Sequence, residues 1–99
     1  MLDRLEATIR QRMTADPAQS YTAELAADPA FAARKLGEEA VELVVASLAQ
    51  DRATVIKEAA DVLFHLTALL AIKDIALSEV ADELARREGV SGLEEKASR

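Results

Sequence analysis

Residues 40 to 49 and 59 to 72 carry apolar side chains around most of a helical circumference, and a helix of that kind must be covered on several sides. This requirement constrains the fold strongly, because the other segments of a 99-residue chain are short. Two long helices have to pack on each other, and the remaining apolar surface has to find further cover. Alanine, leucine and valine supply most of the apolar residues, and only Tyr21, Phe31 and Phe64 are aromatic, a mixture that favours helix over strand.

Leu2, Leu5, Ile9 and Met13 recur at helical spacing and the run stops before Asp16-Pro17. This predicts an amphipathic helix over residues 2–14 with Arg4, Glu6, Arg10 and Arg12 on its polar face. Ser20-Tyr21-Thr22 caps a short turn through Leu25. Asp28-Pro29 joins an N-cap to a proline in the first helical position, which opens a helix from Pro29 to about Ala49. Gly37 lies inside it at a cost of about 1 kcal/mol relative to alanine, so close packing or ligand access is expected there. Gln50-Asp51 breaks the pattern, and Asp51 caps a second long helix running to about Lys73. Ser78 caps a helix through Glu88, which Gly89 terminates. Val90 to Arg99 has no clear periodicity and reads as an extended or partly mobile tail.

The chain contains no internal repeat, low-complexity segment or linker, so residues 1–99 read as one all-α domain. The expected architecture is a helical bundle of four to five helices with two long antiparallel members. Three short elements cannot cover both long helices, so assembly as a homodimer or higher homo-oligomer is expected.

Eighteen acidic residues against 12 basic ones give a net charge of -6, which argues against nucleic-acid or anionic-membrane partners held by the overall field. A phosphate ligand would need local cations or a metal. The absence of cysteine excludes disulfides, thiolate metal sites and thiol catalysis. Met1-Leu2-Asp3-Arg4 opens no signal-peptide core, and no apolar run approaches the roughly 20 residues that span a bilayer, so a soluble, cytoplasmic protein is expected.

The chemistry lies in the long helices. At about 100° per residue, Glu38 and Glu42 lie about 40° apart, and Glu39 and Glu42 about 60° apart, so three carboxylates share one stripe. Lys57, Glu58, Asp61 and His65 form a matching stripe through an otherwise apolar segment, which leaves Asp61 little bulk water to face. If the helices reverse near residue 50, positions equidistant from it oppose each other: Glu42 meets Glu58, Glu39 meets Asp61, and Lys35 meets His65. Four carboxylates converging from two helices repel one another and lose hydration unless a cation joins them. Oxygen donors select a hard divalent ion, with magnesium suited to phosphate chemistry and manganese able to substitute. A di-iron site would want Glu and His three apart on two helices, and this chain has one histidine. Either acidic cluster alone is most simply a solvated helix face; mirrored clusters on two apolar helices favour a metal. His65 reads as a hydrogen-bonded core residue, and Lys35 and Lys57 either form helix salt bridges with Glu39 and Asp61 or contact substrate phosphate.

ExxE in Glu39 to Glu42, preceded by Glu38, and ExxD in Glu58 to Asp61 resemble the signature of the all-α nucleoside triphosphate pyrophosphohydrolases. Four strings narrow this: Ser20-Tyr21-Thr22, Lys35-Leu36-Gly37-Glu38-Glu39-Ala40-Val41-Glu42, Lys57-Glu58-Ala59-Ala60-Asp61-Val62-Leu63-Phe64-His65-Leu66, and Ser91 to Arg99. In this order they resemble the phosphoribosyl-ATP pyrophosphohydrolase family over nearly the whole chain. The resemblance implies hydrolysis of phosphoribosyl-ATP to phosphoribosyl-AMP and pyrophosphate, the second step of histidine biosynthesis. It implies magnesium held by Glu39, Glu42, Glu58 and Asp61, with Glu38 accepting the attacking water's proton or holding a second metal. Lys35, Lys57, Lys96 and Arg99 are the candidate phosphate clamps, with Lys96 and Arg99 equally readable as solvated tail residues. A house-cleaning pyrophosphohydrolase would share the metal site without this tail, and a non-catalytic dimerisation module would need exposed acidic stripes.

Overall fold

Two aspartates set the frame. Asp28 Oδ1 accepts the Phe31 N–H at 3.2 Å and Asp51 Oδ1 accepts the Thr54 N–H at 3.0 Å, so each long helix begins on a side-chain cap. The structure, a computed structural model, describes residues 1–90 and 92–98. Among the described residues it forms α1 (Leu2–Arg12), α2 (Tyr21–Ala27), α3 (Pro29–Ala49), α4 (Arg52–Ile72), α5 (Leu77–Arg86) and α6 (Gly92–Ser98). The all-α class and the two long helices agree with the sequence expectation. A two-residue link, Gln50-Asp51, joins α3 to α4, and the most extensive helix pairing is between these two, so they form an antiparallel hairpin.

The short elements differ from expectation at three places. The turn after Ser20 is a full helix whose cap is Ser20 Oγ accepting the Ala23 N–H at 3.2 Å. Ser78 lies inside α5 rather than capping it. There Glu79 reaches back to the Ala76 N–H at 2.8 Å, and Glu6 of α1 accepts the Leu77 N–H at 2.7 Å, so tertiary and local carboxylates replace the serine. The expected tail is helical over Gly92–Ser98, giving six helices among the described residues rather than four or five. Gly89, with φ of 81°, ends the turn after α5 as the sequence suggests.

The core is one-sided. Ile9, Leu25, Ala32, Ala68 and Ala71 are buried, with Leu5, Phe31, Phe64 and Ile72 packed around them, so α1 and α2 cover the start of α3 and the end of α4. Alanines at 32, 68 and 71 let the helices approach closely. The reversal end of the hairpin is bare: Leu48 is 83% exposed and Val41 62%, and Val44, Val45 and Ile56 are exposed beside them. The radius of gyration, 15.5 Å, exceeds the roughly 13 Å of a compact domain this long. Among the described residues, no helix is long and apolar enough to cross a membrane.

Hydrogen bonds from Thr54, through its side chain first, hold the Asp51 carboxyl below its ordinary value of 3.8. With the folded value depressed, the cap's contribution is present above the unfolded value and lost as pH falls through the folded one. Asp51→Ala is therefore expected to lower the melting temperature by roughly 2–8 °C at pH 7, with the difference from wild type shrinking in acid. Circular-dichroism melts at the two pH values check this, and equal melting at pH 7 would contradict it.

Candidate metal centre on the helical hairpin

Antiparallel pairing brings the acids of the two helices together at one level. One carboxylate oxygen from each of Glu39, Glu58 and Asp61 lies within 4.8 Å of the others. The Glu39 and Glu58 side chains are only 12% and 14% exposed, whereas Asp61 is 41% exposed. Asp61 thus meets more water than its apolar surroundings in sequence suggest, because its side of α4 is not covered within one chain.

Lysines reach part of this cluster. Lys35 Nζ lies 3.7 Å from Glu39 Oε1, and Lys57 Nζ lies 3.5 Å from Glu58 Oε1 and 3.7 Å from Asp61 Oδ2. In both glutamates the lysine reaches one oxygen only. Glu39 Oε2 and Glu58 Oε2 are buried with no hydrogen-bond partner among the described residues. A buried acceptor left unpaired costs about 1–3 kcal/mol, and more when it is charged. Oxygen-only donors with two such orphaned atoms fit a hard divalent cation.

The other acids lie around this group. Glu42 is exposed and outside it, so three carboxylates rather than the expected four converge, and it shares with Glu58 a cavity of about 310 Å³ walled by Val41 and Val45. Glu38 is exposed and paired with Lys35 Nζ at 3.0 Å and Arg34 Nε at 3.9 Å. A Cβ at Gly37 would meet nothing within 4 Å, and the glycine lines an open cavity of about 700 Å³ with Arg34, Glu38 and Glu42. Access rather than close packing surrounds this glycine in the single chain.

Both lysines are firmly cationic. The hydrogen bond to Glu38 raises the Lys35 ammonium above its ordinary value, and the Glu58 charge, followed by that of Asp61, does the same for Lys57. Lys96 is exposed on α6, whereas Arg99 lies outside the described residues.

His65 is a hydrogen-bonded core residue as its sequence context implies. A carbonyl oxygen only accepts, so the Nδ1–H donates to Asp61 O at 2.7 Å; in the neutral ring Nε2 then accepts the Tyr21 hydroxyl at 2.8 Å. Tyr21 also stacks on Phe64 with ring centroids 6.2 Å apart. Burial, partly offset by the nearby Lys35 charge, pushes its phenol up. The sequence offers Tyr21 only as a residue beside a cap. That it is the sole tyrosine, in a chain with a sole buried histidine needing a donor, is the signal that points to this pairing.

An all-helical fold with ExxE and ExxD motifs on the two arms of one hairpin defines the class, an all-α nucleoside triphosphate pyrophosphohydrolase. The sequence model of one family, described as Phosphoribosyl-ATP pyrophosphohydrolase, matches residues 2–88. The chain is 56% identical over 100 residues to the phosphoribosyl-ATP pyrophosphatase of Dinoroseobacter shibae, with all of this chain and 98% of the relative covered. It is 54% identical over 99 residues to the proteins of that name from Rhodobacter capsulatus and Caulobacter vibrioides, covering 96% and 92% of them, and 99% and 100% of this chain. The chain belongs to the phosphoribosyl-ATP pyrophosphohydrolase family.

Proposed function

We propose that the protein is a cytoplasmic, magnesium-dependent phosphoribosyl-ATP diphosphatase that yields phosphoribosyl-AMP and pyrophosphate in histidine biosynthesis. Family membership supports the reaction, and the two buried, unpartnered oxygens of Glu39 and Glu58 beside Asp61 carry the metal assignment. Glu39, Glu58 and Asp61 would hold the ion, with Glu42 outside that group on the cavity it shares with Glu58. When bound, magnesium or manganese supplies charge neutralisation at the phosphate oxygens and leaves coordination positions for them and for water.

The chain's own residues do the rest. Glu38, exposed beside the cluster, accepts a proton from the water whose oxygen bonds to phosphorus as the anhydride bond breaks and pyrophosphate leaves. Lys35 and Lys57 already lie within 4 Å of two carboxylates each, and they exchange part of that pairing for phosphate oxygens when substrate arrives. Glu38 is freed as a base when Lys35 turns to phosphate.

The working unit is a homodimer, with the exposed Val41, Val44, Val45 and Leu48 of α3 and Ile56 of α4 covered by a second copy. Sedimentation at low micromolar concentration is expected to give twice the chain mass; a stable, active monomer would refute the dimer.

The activity is tested by pyrophosphate release from phosphoribosyl-ATP beside a panel of nucleoside triphosphates. Strong preference for phosphoribosyl-ATP is expected, with loss of turnover on chelation. Asp61→Asn is expected to abolish turnover with an unchanged circular-dichroism spectrum, because it removes an anionic ligand and preserves shape. Near-normal turnover of that variant at limiting magnesium would contradict the site.

A further inference from the structure

Tyr21 and Phe64 also wall a third cavity, of about 520 Å³, to which Arg12, Asp16, Gln19 and Ser20 contribute. Phe64 follows Asp61 by three residues in α4, a rise of about 4.5 Å and about 60° around the axis, so the cavity starts one turn from the acidic cluster. Tyr21 ties the two together through His65, whose ring sits on the Asp61 carbonyl.

The polar groups of this cavity suit a sugar phosphate. Arg12 makes no ion pair among the described residues, whereas Arg10, Arg34, Lys35 and Lys57 are each held by carboxylates. Asp16 Oδ1 is engaged by the Ala18 N–H at 2.9 Å, and Ser20 Oγ accepts from Ala23, which leaves the Ser20 hydroxyl proton and the Gln19 amide to meet a ligand. A substrate with a triphosphate at one end and a ribose 5-phosphate at the other needs a cation for the second group away from the metal centre. Arg12 is such a cation, beside an aromatic wall and next to the site that takes the first.

We infer that this cavity is the subsite for the phosphoribosyl arm of the substrate, with Arg12 on its phosphate and Asp16, Gln19 and Ser20 on its hydroxyls. The inference rests on the activity proposed above and adds the feature that separates phosphoribosyl-ATP from ATP.

Steady-state kinetics of Arg12→Gln, with phosphoribosyl-AMP and AMP as inhibitors, tests it. Removing a charge-assisted contact remote from the reacting phosphorus is expected to raise KM roughly 10- to 100-fold with kcat changed less than about threefold. The inhibition constant of phosphoribosyl-AMP rises by a similar factor while that of AMP stays put, and Arg12→Lys recovers part of the loss. Arg4→Gln, which removes a charge from the same helix, stays within about twofold of wild type. Equal weakening of both inhibitors, an equal effect of Arg4→Gln, or normal kinetics of Arg12→Gln would each overturn the subsite alone. Wild-type protein inactive on phosphoribosyl-ATP would overturn the activity and the subsite with it.

Discussion

Glu39 on α3 and Glu58 on α4 each bury a carboxylate oxygen that no donor among the described residues reaches. Much of the structure depends on how that position is held. The two-residue reversal at Gln50-Asp51 and the Asp51 cap fix the register of the hairpin, and register decides whether the acids meet. Advancing α4 by one residue would swing Asp61 by about 100° and replace it with an apolar neighbour. The cap is therefore part of the site's architecture as well as of the helix.

The hairpin divides into two halves with different surroundings. Towards the start of α3 and the end of α4, small residues admit α1 and α2, and Ile9 and Leu25 are fully enclosed. Towards the reversal, valines and leucines stand in solvent within one chain. The acidic cluster lies at the junction of these halves. On one side Tyr21, Phe64 and His65 pack against one another, and on the other Glu58 faces a cavity it shares with Val41, Glu42 and Val45 of the bare apolar face. A partner covering that face would close the cavity side without disturbing the packed one.

Much of this was legible before any coordinates. Proline at 29 and aspartates at 28 and 51 mark the long helices because their effects are local, and mirrored acids on apolar helices have few uses besides a cation. What was not legible depends on tertiary placement. Glu42 lies about 60° from Glu39 around α3, enough for one to be buried and the other exposed once α4 is in place. Ser78 has the chemistry of a cap, but Glu6 arrives from another helix and moves the start of α5 back. The Tyr21–His65 bond joins residues 44 apart, and no periodicity announces such a pair. The helix over Gly92–Ser98 carries too few apolar residues to show a helical period.

Titrating Mn2+ into metal-free protein under electron paramagnetic resonance tests most directly whether the Glu39, Glu58 and Asp61 oxygens hold a divalent cation. Wild-type protein is expected to show saturable binding that Mg2+ displaces, and Glu58→Gln, which keeps the shape and removes the charge, is expected to weaken it at least roughly tenfold. Equal affinity in the two proteins, with both folded, would contradict the account.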